Sequence, residues 1–167
     1  MRIIALDPSG NYDEGKGTTG YAVFQDGELE KFGDIKASDF PNQEQYWKHH
    51  DYLIVDEAPD IVLCESYRLF GHKAKSQSWS SLETPQLIGF IRMMCWISDI
   101  KFEMQNPSDK VRVADDQLVK LGFFEKRGSK YYCQGRLTNL HQRDSIRHGI
   151  FYLRYGGGKN GGLQRKN

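Results

Sequence analysis

Three acidic residues stand where carboxylates could do chemistry together. Asp7 closes the short apolar run Arg2–Asp7, Glu65 closes a second such run, Asp60–Glu65, and Asp144 lies in a stretch of helical composition further on. Short apolar runs of this kind have the pattern of buried strands. If the two are parallel neighbours, their ends share one edge of a sheet, and a helix crossing that edge can add the third acid. Carboxylates gathered this closely cannot all ionise unless positive charge stands among them. Hard divalent cations with oxygen ligands meet that need, and Mg²⁺, which retains waters and takes substrate phosphate, suits this set. His141 precedes Asp144 by three residues, so both project from one helical face. Two such ions about 3.5–4 Å apart would activate a water and stabilise the leaving oxygen of an in-line phosphodiester displacement.

The elements that must position these residues follow from the pattern. A polar, Gly-rich loop over residues 8–18 follows Asp7 and is expected to be mobile and outside the core. Thr19–Gln25 is rich in β formers, Asp26-Gly27 is a hairpin signal, and Glu28–Ile35 pairs back, so the chain opens with three antiparallel strands. Pro41–Glu57 reads as a helix stopped by Ala58-Pro59-Asp60. Ser81–Ser98 reads as a second helix, with Leu82, Leu87, Ile91, Met94 and Cys95 at helical spacing and Pro85 tolerated only in its first turn. Ile100–Gln105 is a fifth strand, Asp115–Leu121 a short helix, Phe123–Cys133 a hairpin around Arg127-Gly128-Ser129, and Asn139–Tyr155 a final helix with Asn139 as its N-cap.

The chain has 167 residues, one domain's worth. Its longest apolar stretch, Ile88–Ile97, is interrupted by Arg92, so no membrane span is expected, and the first residues lack a signal-peptide layout. Cys64, Cys95 and Cys133 are too few and too widely spaced for a disulfide framework or a zinc ribbon, which makes a reducing cytoplasm the simplest location. The formal net charge of +1 conceals a division: residues 1–65 carry a net −9 and residues 66–167 a net +10. Such asymmetry points to polyanion binding, since no basic amphipathic stretch suggests a membrane surface.

Together these segments resemble the RuvC-like Holliday junction resolvases of the ribonuclease H superfamily, most closely the bacteriophage type. The motifs are IIALDPSG followed by TGYAVF, IVLCES with an aromatic-rich loop and a long helix, QNPSDK after the fifth strand, and HQRDSIRHG in the final helix. The ordered set carries the resemblance, over residues 1–110 and 139–155. It implies an α/β, ribonuclease H-like mixed five-stranded sheet flanked by helices over residues 1–155, while the Gly-rich, basic composition of residues 156–167 reads as a flexible tail. It further implies a metal-dependent endodeoxyribonuclease that resolves four-way junctions by paired nicks, as a homodimer, in the cytoplasm of a host bacterium if phage-encoded. By position, Asp7, Glu65, His141 and Asp144 match metal-binding and catalytic residues for two Mg²⁺, with Mn²⁺ an alternative. Lys110 falls near a lysine that contacts the scissile phosphate. Tyr67, Arg68, Phe70, Lys73 and Lys75 fall where a junction-contacting loop would be, aromatics stacking on splayed bases and cations meeting phosphates. The loop after Asp7 is longer than usual for the family, and residues 116–136 have no counterpart in it.

Plainer readings exist for each signal. Asp7-Pro8-Ser9-Gly10 has the composition of a turn, Asp144 could complement a helix dipole, and Tyr67 and Phe70 could simply pack. Their joint occurrence in order favours the nuclease. The alternatives are a nuclease of the same fold acting on flaps, hybrids or packaged DNA, and a non-catalytic binder of branched DNA. An actin-like nucleotide-binding protein, suggested by DPSG and GTTGYAVF, would need duplicated domains for which 167 residues leave no room.

Overall fold

Asp26 and Gly27 take positive φ values, 50° and 90°, in the computed structural model, which describes residues 1–67 and 82–156. Two successive left-handed residues make the tight turn whose twist matches that of paired strands, and Gln25 faces Glu28 across it. This turn joins β2 (Thr18–Gln25) to β3 (Glu28–Lys36). Strand β1 (Arg2–Asp7) pairs antiparallel to β2, with Asp7 opposite Gly20. On its other side β1 pairs parallel to β4 (Ile61–Glu65), and β4 pairs parallel to β5 (Lys101–Gln105). The sheet order is β3-β2-β1-β4-β5.

Both faces of this sheet are covered. Ile4, Leu6, Val23, Ile35 and Val62 pack against α1 (Gln43–Glu57) and α2 (Glu83–Ile97) through Tyr46, Ile54, Leu87, Ile91 and Cys95. Ile3, Ala5, Ala22, Phe24, Ile61 and Leu63 point the opposite way, toward Leu118 of α3 (Asp115–Lys120) and Ile146 and Ile150 of α4 (Leu140–Phe151). Strands buried on both faces read as continuous apolar runs, which is why Arg2–Asp7 and Asp60–Glu65 stand out in the sequence. Among the described residues no helix is long and apolar enough to cross a membrane.

The expected order of elements is observed, with boundaries shifted by one or two residues at most ends. The hairpin expected over Phe123–Cys133 forms from β6 (Glu125–Arg127) and β7 (Lys130–Cys133), and β8 (Arg136–Leu137) adds a third strand that was not expected. Two expectations need correction. The final helix is α-helical only to Phe151 and continues as a π-helical turn over Tyr152–Gly156. The loop after Asp7, expected to be mobile, is instead tied down. Gly10 N–H donates to Thr84 Oγ1 at 2.9 Å, Tyr12 N–H donates to the Glu83 carboxylate, and Tyr12 O–H donates to the Phe40 carbonyl at 2.9 Å. A Cβ on Gly10 would lie 2.3 Å from the Glu83 carbonyl carbon, so only glycine lets this loop close on the start of α2. The tail beyond Gly156 lies outside the described residues.

Helix α4 also sits on the sheet through glycine. A Cβ on Gly20 would come within 2.0 Å of the His141 carbonyl oxygen, and one on Gly149 within 2.1 Å of the Phe24 ring. The first turn of α4 therefore rests on β2 at Gly20, the residue paired with Asp7. A capping box fixes the same turn, with the Asn139 side chain accepting from Gln142 N–H at 2.9 Å and the Gln142 side chain accepting from Asn139 N–H at 3.0 Å. Replacing Gly20 with Ala should push α4 outward and cost about 1–3 kcal/mol, the usual penalty of overpacking. Urea denaturation of Gly20→Ala against the parent chain measures it, and equal stability would show that α4 can shift without cost.

On the other face, His50 is buried between Tyr46 and Thr19, its Nδ1 2.9 Å from the Tyr46 carbonyl and its Nε2 2.9 Å from Thr19 Oγ1. Burial pushes its pKa down to about 4. The native state thus holds His50 neutral while the unfolded chain takes up a proton below about 6.5. Stability should fall as pH drops from about 6.5 toward 4, by up to about 3 kcal/mol from this group. In urea titrations at pH 7 and pH 4.5, His50→Gln should lose less stability on acidification than the parent chain; an identical loss would assign it elsewhere.

Candidate active site

Side chains alternate across a strand, so the parity of a residue selects its face. Asp7 shares parity with Ile3 and Ala5, and Glu65 with Ile61 and Leu63, all of which face α4. Both acids end their strands on the same edge because β1 and β4 run parallel. Helix α4 passes over that edge and presents His141, Asp144 and His148 on one face at spacings of three and four. Asp7, Glu65, His141 and Asp144 are thus brought to one place, and Lys110 joins them from the short 3₁₀ turn Asp109–Arg112.

His141 Nδ1 lies 2.7 Å from Asp7 Oδ2. Lys110 Nζ donates to Glu65 Oε2 at 2.7 Å and to Asp144 Oδ2 at 2.5 Å. Arg147 Nη1 donates to Asp144 Oδ1 at 2.9 Å, while its Nη2 and Nε donate to the Lys110 and Val113 carbonyls at 2.9 and 2.8 Å. Arg147 therefore clamps the turn carrying Lys110 onto α4. His148, 1% exposed, reaches Glu65 Oε2 through Nε2 at 2.6 Å and the Gln105 side chain through Nδ1 at 2.6 Å.

The electrostatics follow from this arrangement. Burial raises the pKa of Asp7 and the neighbouring Glu65 charge adds to that, against the opposing bond from His141. Burial also works to raise Glu65, but the bonds from His148 and Lys110 outweigh it and its pKa is lowered. Lys110 shows the mirror case: desolvation would lower it, and its bonds to Asp144 and Glu65 leave it raised. The hydrogen bond to Asp7 raises His141. As they stand, the side chains satisfy one another in pairs, and among the described residues no three of His, Cys, Asp or Glu form a group that could hold a metal ion.

Tyr67 is half-buried two residues beyond Glu65. Arg68, Phe70, Lys73 and Lys75 lie outside the described residues. Sequence reasoning missed His148, Gln105 and Arg147. The helical spacing from His141 through Asp144 to His148 was available, whereas Gln105 shows itself only once β5 is known to pair with β4.

No family model and no curated protein sequence matches the chain. Solved structures do match in fold. Thermus thermophilus RuvC in complex with a Holliday junction substrate superposes with a TM-score of 0.64 at 14% identity, over 94% of this chain and 97% of that one. A second structure of Thermus thermophilus RuvC gives 0.60 at 13% identity, over 93% and 97%. Fowlpox virus resolvase, in complex with substrate Holliday junction DNA, gives 0.50 at 15% identity, over 91% and 96%. With its mixed five-stranded sheet flanked by helices, this chain has the fold of the RuvC-like resolvases, within the ribonuclease H-like architecture.

Proposed function

We propose that this protein is a metal-dependent endonuclease that resolves four-way DNA junctions by paired nicks. The observation that carries the reading is the convergence of Asp7, Glu65 and Asp144, from β1, β4 and α4, around the ammonium of Lys110. In chemical type, though not in its present pairing, the donor set suits a hard divalent cation: it offers carboxylate oxygens and one imidazole, and Lys110 marks where the cluster requires positive charge. Asp7, Glu65, His141 and Asp144 would hold Mg²⁺ or Mn²⁺, two ions per site, supplying an activated water and charge stabilisation of the leaving oxygen. Lys110 would turn from the carboxylates to the scissile phosphate, and Arg147 keeps its turn in place. The junction complexes of the structural neighbours support branched DNA as substrate. All three cysteines are buried free thiols, which suits a reducing cytoplasm.

A symmetric junction cut twice calls for two sites related by a two-fold axis. The outer surface of α1 and α2 offers a place for that contact: Tyr52, Val55, Met93, Trp96 and Ile97 are exposed there, Trp96 at 77%. Beside them Trp47, Asp51, Phe90 and Met94 line a shallow apolar groove. We assign this surface to a second copy of the chain. Trp96→Glu should convert a dimer to a monomer in analytical ultracentrifugation; an unchanged mass would move the interface elsewhere.

The function is tested by offering linear, flap and four-way DNA side by side with Mg²⁺. Preferential, symmetric nicking of the four-way substrate is expected, and equal cleavage of flaps would favour the related nuclease reading. Asp7→Asn, Glu65→Gln and Asp144→Asn should each lower cleavage by more than about 100-fold while junction binding persists, since residues merely supporting metal ligands already cost 10–100-fold. His141→Ala should be milder. Full activity in any of the three amide variants would remove that residue from the site. Arg68, Lys73 and Lys75 are proposed to meet phosphate, each removal flattening the slope of log K against log salt by about 0.9.

A further inference from the structure

His148 is a buried imidazole that the cleavage chemistry above does not use. It spans two strands, because Glu65 of β4 and Gln105 of β5 are register partners and α4 crosses above both. We propose that Gln105 holds His148 in the Nε2–H tautomer, and that this N–H orients the Glu65 carboxylate; the inference rests on the reading of Glu65 as a metal ligand.

The argument is one of hydrogen-bond supply. An ionised carboxylate only accepts, so a bond of 2.6 Å between Nε2 and Glu65 Oε2 needs the proton on Nε2. A neutral ring then offers Nδ1 as an acceptor, and the end of the Gln105 amide placed 2.6 Å from it is Oε1. The two ends of a glutamine amide exchange by a half-turn, and with its NH₂ toward Nδ1 the amide donates to the ring while Nε2–H donates to Glu65. Gln105 is 4% exposed and His148 1%, so water does not compete for either. Lys110 and His148 both donate to Oε2 of Glu65, so neither engages the other oxygen, Oε1. A histidine that only filled space between α4 and the sheet would have no need of a fixed tautomer.

The test has two parts. In ¹⁵N-labelled, metal-free protein near pH 7.5, side-chain correlation spectra should show His148 protonated at Nε2 and bare at Nδ1, the resonances being assigned by their loss in His148→Gln. The opposite tautomer, or a ring protonated at both nitrogens, would overturn the proposal. In titration calorimetry with Mn²⁺, His148→Leu and Gln105→Leu should bind 10–100-fold more weakly than the parent chain, and His148→Gln, which keeps a donor, should recover most of the loss. Four-way junction kinetics should show kcat falling in the Leu variants with KM unchanged. Parent-like Mn²⁺ binding in both Leu variants, or no recovery in His148→Gln, would also overturn it. If the parent chain binds Mn²⁺ yet cuts no branched DNA, the function reading fails while the spectra and calorimetry still decide the role of His148. If it binds no Mn²⁺, both fail.

Discussion

Negative charge gathered at one edge of the sheet is the constraint around which this molecule is arranged. Asp7, Glu65 and Asp144 are each largely withdrawn from water, and withdrawn carboxylates resist ionisation. The chain answers with Lys110 between Glu65 and Asp144, Arg147 on the other oxygen of Asp144, and imidazoles on Asp7 and Glu65. Removing one partner from such a group leaves an uncompensated charge, so the network is sensitive at every member. A divalent cation would supply the same need more strongly, and that is the link between the fold's electrostatics and the proposed chemistry.

The rest of the architecture serves the closeness of these groups. Parallel pairing of β1 and β4 sets two acids on one edge, and alternation along both strands turns them to the α4 side. Glycine at positions 20 and 149 then lets α4 come nearer the sheet than any side chain would allow. The Asn139–Gln142 box fixes where the helix begins, which in turn fixes which residues face Asp7. Arg147 couples the Lys110 turn to the same helix, so the backbone that carries the cation is bonded to the element that carries Asp144.

What the sequence disclosed depended on how local the cause was. Asp7 and Glu65 end uninterrupted apolar runs, and such runs are the signature of strands covered on both faces, so strand and acid were legible together. Asp26-Gly27 and the cap at Asn139 were legible because a dipeptide or a single turn contains the whole physical reason. The loop after Asp7 misled because its glycines signal flexibility, while its anchors, Glu83 and Thr84, lie more than 70 residues away in sequence. Strand β8 has only two residues, too few to show a period. Gln105 read as the mere end of a strand, and its purpose depends on the register between β4 and β5, which composition does not encode.

The central claim is that Lys110 and a divalent cation answer the same excess of negative charge. It is tested most directly by the Mn²⁺ dependence of the melting temperature in the parent chain and in Lys110→Met. The account predicts that Lys110→Met melts lower than the parent without metal, because Glu65 and Asp144 lose their shared cation, and that it gains more from added Mn²⁺, since no ammonium competes. Equal melting temperatures without metal, with no response to Mn²⁺ in either protein, would contradict it.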